Sequence, residues 1–404
     1  MTRRRELQEL ALEIADHQAN LVRLGEAWGQ RIVEHISASD KETLAYIRSV
    51  LSELEYSRDT AKVVKKLDQI KAKIAEIRMR AFIAAEKELR AEVPDLIDNE
   101  TQWSKQLLAE LQGEDITAFK DITDARAQRL LKNSIQINKT WDQWWTSTAA
   151  GDVQRIANVI SGGVSQGLTI PQMVKLIAGS KASGYTDGVM STSLSHARNL
   201  ARTISCGIAN QAKEAFYEEN EDAVLAVEWL STLDGRTCPV CAGLDRQRWK
   251  QDKPHPVPPS HPSCRCVLIP VTPLTDLGAD AGRPRANADF DAEAKRAYEA
   301  KHPNKRFEDL SFSTRQKYRY EAIRRFEEET GKKAYTFGNG SMNFKQYFNQ
   351  MSEQQKRDWL GVEKYKIFRK GNLSLDKFIP PYPDKTFTVT ELRRLDELAA
   401  ARRR

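Results

Sequence analysis

The sequence predicts a mainly α protein. It should have long N-terminal helices, a helical middle region, a small β-containing zinc-stapled module and a helical C-terminal region. Three observations predict this class. Apolar residues recur at helical spacing near the N-terminus, with Leu7, Ile14, Leu21 and Trp28 every seven residues and Leu10 and Leu24 in the offset row. Cap signatures punctuate both ends of the chain. Four of the five cysteines lie between Cys238 and Cys266, bracketed by the only two runs that read clearly as strands.

The bulk properties narrow the class. At 404 residues the length suits two to three domains. Charged residues make up 29% and mean hydropathy is −0.60, the profile of a surface-rich helical chain. No run of eighteen apolar residues exists, so no membrane span is expected. The opening MTRRRELQEL lacks an apolar core, so no secretory signal is expected and synthesis in a reducing cytoplasm follows. There, paired cysteines read as metal ligands before disulfides. The net charge is +7, but residues 301–404 hold 24 Lys and Arg against 14 Asp and Glu. That basic region suits a solvated helical surface, a nucleic acid or an acidic protein face.

Taken in order, residues 1–103 form an N-terminal helical or coiled-coil region. Ser39 and Glu42 have the spacing of a capping box, which predicts a helix restarting there. A second stripe follows at Leu67, Ile70, Ile74 and Ile77, and Pro94 marks a break. These stripes suit seams inside a bundle or surfaces for a partner's helices. Residues 104–228 form a helical middle domain, with a helix starting near Thr169 that carries Pro171 in its first turn. His196 and Cys206 on its last helix read as packing or surface residues. Residues 229–273 form the zinc-binding β module, with AVLAVEWLS and CVLIPV as strands around the cysteines. Residues 274–291 read as a linker, and 292–404 as a basic helical C-terminal region. There Ser352 with Gln355 and Thr388 with Glu391 are capping boxes, and Gly371 ends a helix.

The cysteine cluster carries the chemistry. Cys238 and Cys241 stand three apart on a tight turn, a spacing that presents both sulfurs to one ion, and Gly243 lets the chain turn away. His261, Cys264 and Cys266 follow within six residues. Tetrahedral zinc takes four N or S ligands, so four of these five suffice, with His255 a weaker candidate. A set of four closes the site and makes the zinc structural. The prolines at 254, 256, 258, 259 and 262 restrict the unfolded loop. Three other readings stay open. A redox dithiol leaves the second group without a use. Disulfides need an oxidising compartment. A catalytic zinc needs an open position and a neighbouring acid or base, for which Asp234 and His261 are at hand. Asp234 and Arg236, just before Cys238, can lock the turn by a charge-assisted hydrogen bond; alternatively Arg236 and Arg265 can clamp a partner's carboxylate or phosphate.

The motif resembles that of the Mu F-like phage minor head proteins, the head-morphogenesis family. The matching residues are Trp229, Asp234-Gly-Arg236-Thr237-Cys238, Cys241, Leu244-Asp245 and His261-Pro-Ser-Cys264-Arg265-Cys266, with Arg202 and Thr203 on the helix before them. Ile204 stands where the family often has an acid, and Arg246 where glycine is common. Downstream, Leu360-Gly361, the Gly-Asn-Leu turn at 371 and the closing Thr388-x-x-Glu391 helix resemble the family's tail. The resemblance covers roughly 150–272 and 340–400. It implies a minor head protein of a tailed bacteriophage, made in the host cytoplasm and placed in the virion inside the capsid near the portal vertex. It implies the portal protein as partner, with the major capsid or scaffolding protein and packaged double-stranded DNA as further candidates. It implies no catalysis, no membrane and no small-molecule substrate. The rival readings are a nucleic-acid-binding zinc protein using Arg236, Arg246, Arg248 and Trp249, and a zinc hydrolase or nuclease.

Overall fold

The structure is a computed structural model. It describes residues 3–54, 60–133, 135–273, 283–286, 288, 290–307, 310, 312–331, 335–338, 342–381 and 383–402. The first apolar stripe becomes α1 (Arg3–Leu54), which turns back into the antiparallel α2 (Thr60–Arg90). Leu10, Ile14, Leu21 and Trp28 are buried as their spacing predicts, while the side chain of Leu7 lies outside the described residues. Ile70, Ile74 and Ile77 of α2 are also buried. Both stripes are therefore seams within the chain.

The predicted restart at Ser39 is corrected. α1 runs unbroken through it. An N-cap must leave helical geometry and accept an N–H from the following turn. Here the Ser39 hydroxyl instead donates back to the Ile36 carbonyl at 2.7 Å, as serine does inside a helix. Glu42 faces outward and pairs with Arg80 at 2.7 Å. A buried guanidinium holds this stretch straight. Arg78 of α2 reaches Ser39, Asp40 and, across the bundle, Asp152 at 2.6 Å.

α3 (Val93–Gln112) starts with Pro94 in its first turn and stops at Gly113, whose φ of 68° suits glycine. α4 (Asp124–Asn133) and the short hairpin β1 (Ile135–Gln136) and β2 (Lys139–Thr140) lead into α5 (Trp141–Ser165). Thr140 caps α5, and Thr169 with Gln172 caps α6 (Ile170–Ala178), with Pro171 where predicted. α7 (Val189–Glu219) is the axis of the molecule. Its Ala197, Ala201, Ala209 and Ala212 are small enough to let α1, α3 and α5 approach closely, and all four are buried.

The β module follows. β3 (Ala226–Leu230) lies between β4 (Arg248–Lys250) and β5 (Val267–Val271) in one antiparallel sheet, with Trp229 opposite Leu268 and Val227 opposite Trp249. A short helix, α8 (Pro239–Leu244), joins β3 to β4. The module does not own its core. Val227, Trp229, Leu244 and Leu268 pack with Leu10 and Ile14 of α1, Leu107 and Leu111 of α3, and Phe216 and Tyr217 of α7.

Within the stretch read as a linker, Arg283–Ala286 forms a strand, β6, paired antiparallel with β7 (Tyr335–Gly338). Between them lie α9 (Phe290–Lys301) and α10 (Phe312–Thr330). The chain closes with α11 (Phe344–Gln350), α12 (Glu353–Leu360), α13 (Val362–Arg369) and α14 (Val389–Arg402). The capping boxes at Ser352 and Thr388 form as read, and Gly371 takes a φ of 69° after α13. These helices pack Phe344, Phe348, Ile367, Phe378 and Leu392 against Leu233 and Ala242 of the β module.

Candidate metal centre

The backbone around α8 brings the cysteines together. Cys238 is the N-cap of α8, with extended φ and ψ, and its sulfur accepts the Cys241 N–H at 3.4 Å. Pro239 takes the first helical position, where its missing N–H costs nothing. Cys264 and Cys266 lie just before β5, and His261 stands one turn earlier in the proline-rich loop. Two overlapping triads result, Cys238–Cys241–His261 and Cys241–Cys264–Cys266, with the ligand atoms of each within 4.8 Å of one another. All five cysteines are free thiols.

The geometry fits a tetrahedral ion bound by soft ligands. Metal–sulfur bonds of about 2.3 Å put neighbouring sulfurs of a tetrahedron about 3.8 Å apart. The Cys241 and Cys264 sulfurs are 3.8 Å apart. His261 bonds the Pro262 carbonyl through Nδ1 at 2.9 Å. A carbonyl only accepts, so Nδ1 donates there and Nε2 is the atom a metal would take on losing its own proton, the usual way a ligating histidine is oriented. Protons distribute accordingly. The Cys241 hydrogen bond, followed by His261, pushes the Cys238 thiol down to about 4, against its burial. Hydrogen bonds to Cys238 and Cys264 lift His261 to about 10. Cys264 is held far below the usual thiol range by Cys241 and Cys266. Cys241, through its hydrogen bonds to Cys238, Cys264 and Cys266, and Cys266, through burial, are pushed the other way and keep their protons, which a metal ion must displace to bind all four sulfurs.

Around the sulfurs is a shell of hydrogen bonds. The Ser231 hydroxyl donates to the Cys241 carbonyl at 2.7 Å, receives the Trp229 indole N–H at 3.0 Å, and lies 3.5 Å from the Cys266 sulfur. Ser260 lies 3.2 Å from the Cys241 sulfur. Asp245 accepts the Ser231 N–H with one oxygen and the Phe344 N–H with the other, both at 2.8 Å. Thr203 accepts the Ser263 N–H at 3.1 Å, tying α7 to the second ligand group. Ser231 and Ser260 carry no signal in the sequence, because serines at unremarkable spacing mark nothing until the fold places them.

Asp234 sits in the turn after β3. Arg265 binds both its oxygens, at 2.7 and 2.8 Å, and the Arg236 N–H donates to it at 2.9 Å. Burial alone would raise its pKa, but Arg265 and Arg236 outweigh that and hold the carboxyl far below its usual range. Thus the turn is locked, with Arg265 making the bidentate pair. The Arg236 side chain stays 3.9 Å away and 53% exposed. Thr237 bonds the Thr232 carbonyl and completes the turn.

Other candidates lie apart from the sulfurs. His255 stacks on Trp249 and pairs with Glu214 at 2.9 Å. Arg202 pairs with Glu26 of α1. Cys206 is buried on α7, beside Asn210. Arg246 and Arg248 both bind Glu228, a buried carboxylate on β3, with Arg248 at 2.5 Å. Of the residues named in the rival nucleic-acid reading, Arg246 and Arg248 are thus engaged within the sheet, while the Arg248 side chain stays 38% exposed.

The fold and site define a mainly helical protein with a small antiparallel sheet beside a Cys/His cluster that could hold a metal ion. Residues 154–269 match the model of the family described as phage Mu protein F like protein. The match begins in α5 and ends in β5, so it takes in α7 and every candidate ligand. No curated protein and no solved structure matches the chain.

Proposed function

We propose that the chain is a minor head protein of a tailed bacteriophage. It acts in head morphogenesis beside the portal protein, inside the capsid near the portal vertex. The observation that carries this reading is the family match over 154–269, which spans the Arg202-Thr203 helix and the complete Cys/His cluster. The metal is zinc, held by four of Cys238, Cys241, His261, Cys264 and Cys266. Its role is structural. A four-ligand set leaves no position for a reacting water, so the reading assigns no catalysis to this centre.

Mass spectrometry of purified virions and procapsids tests the reading. A few copies per particle, co-purifying with portal, are expected. Absence from both particles sinks it. Cobalt substitution tests the metal's role. A tetrahedral thiolate spectrum unchanged by added azide is expected, and an exchangeable coordination position would favour the hydrolase reading.

A further inference from the structure

A cavity of about 1090 Å³ opens beside the metal cluster, between α1, α7, the Asp234 turn, α9 and α10. It is slightly larger than the usual ligand pocket of roughly 300–1,000 Å³. One wall is cationic. Arg202 from α7 and Arg315 from α10 both pair with the single carboxylate of Glu26 from α1, Arg315 at 2.9 Å. One negative charge thus serves two guanidiniums. The Arg315 Nε–H is buried and has no hydrogen-bond partner. Such a donor costs stability unless something accepts from it. Burial pushes the Arg202 pKa down against the pull of Glu26, with Arg315 and Arg198 adding to the fall. Arg236 lines the same cavity. Phe290, Tyr347, Met351 and Trp359, which are apolar or aromatic, also line it.

We propose that this cavity binds a small phosphate ester carrying a flat apolar group, of the nucleoside phosphate class. The phosphate sits at Arg202 and Arg315, and the flat group lies toward Tyr347 and Trp359. A carboxylate is already present as Glu26. The missing partner is a further anion with several acceptor oxygens, which a phosphate supplies in a form that matches the guanidinium fork. The cavity wall includes His261 and Cys264 of the candidate metal centre, but the phosphate position at Arg202 and Arg315 uses neither, and the proposal does not rest on the head-protein reading.

Titration calorimetry on the full-length, zinc-loaded protein at low salt tests it. The probes are adenosine monophosphate, adenosine, inorganic phosphate, a short DNA duplex and a glutamate-rich peptide. Adenosine monophosphate should bind more tightly than inorganic phosphate or adenosine. Arg315→Gln should weaken it by roughly tenfold or more, the loss of one charged hydrogen-bonding partner. Arg315→Lys keeps the charge but lacks the Nε–H and should fall between. Arg80→Gln, a distant exposed control, should bind as the parent does. Thermal melts of each variant separate lost binding from lost folding. No binding by any phosphate probe at millimolar concentration overturns the proposal, as does an Arg315→Gln protein that folds and binds unchanged. Tighter binding of the peptide overturns the ligand class. Duplex binding that survives Arg315→Gln places the phosphate on the outer surface and overturns the cavity site.

Discussion

The bundle of α1, α2, α5 and α7 and the module around Cys241 hold their shapes by different means. The bundle is a long apolar seam. Trp28, Ile32, Ile36, Ile74 and Phe82 are buried in it, and each contributes by leaving water. The module has three short strands and one helix of six residues, Pro239–Leu244. Its order comes from directed contacts: sulfurs converging on one point, Asp234 with Arg265, Asp245 bridging Ser231 to Phe344. An apolar seam spreads its stabilisation over many residues, so one loss is partly tolerated. A converging cluster concentrates it, and one loss removes the whole effect.

Cys241→Ser is the sharpest way to break the comparison, because Cys241 belongs to both triads. Structural zinc sites contribute on the order of 10 kcal/mol to folding. The variant should bind no zinc by atomic emission. Hydrogen exchange should show lost protection in 229–272 and also in α11–α14, which pack Phe344 and Phe348 against Ala242 beside Cys241. Far-UV circular dichroism of α1 and α2 should be nearly unchanged. Full metal content would show that Cys241 is not a ligand.

Trp28→Ala acts on the other side. Trp28 is 1% exposed, and its indole N–H donates to Glu92 at 2.8 Å. The expected cost is about 3–5 kcal/mol, seen as a lower urea midpoint, with zinc stoichiometry unchanged.

Glu100→Gln probes a strongly polar joint between the helices. Glu100 of α3 is fully buried, 3.1 Å from Lys213 of α7 and 2.9 Å from His17 of α1. Burial raises its pKa, but Lys213 and His17 outweigh this and bring it below the usual value. Because the folded pKa is the lower one, the stabilisation is fully present above about pH 4.3 and is lost as pH falls further. The substitution should cost about 3 kcal/mol at pH 7, by stranding Lys213. The gap to the parent should narrow in acid, and a constant gap would mean that the carboxylate's charge contributes nothing.

The two regions were unequally legible. The bundle's stripes and caps are local and periodic, so Ile74 or Thr388 announces its place within a few residues. The cysteine cluster was legible for the same reason, since Cys238 and Cys241 carry their spacing with them. What stayed hidden depends on distant partners. Ser39 has the pattern of a cap, but the buried Arg78 decides that the helix continues. Arg283–Ala286 becomes a strand only because Tyr335–Gly338 lies beside it. That Arg246 and Arg248 share the buried Glu228 shows only once β3 and β4 are paired. The Glu26–Arg202–Arg315 group draws on three helices, and of its members only Arg202 carried a signal in the sequence.

Gly243→Ala tests how the module is joined to the C-terminal helices. Gly243 lies in α8, and a Cβ built there would stand 2.0 Å from the carbonyl oxygen of Pro380. Backbone cannot yield as a side-chain tip does, so the segment after α13 must move away. Such overpacking typically costs about 1–3 kcal/mol. Position 243 is not a ligand, so the variant should keep its zinc. It should also keep the bundle's urea midpoint and lose protection mainly across 342–402. If zinc and C-terminal protection fall together, the docked helices help to form the metal site. If only the protection falls, the cluster organises the module alone and the C-terminal helices are its dependants.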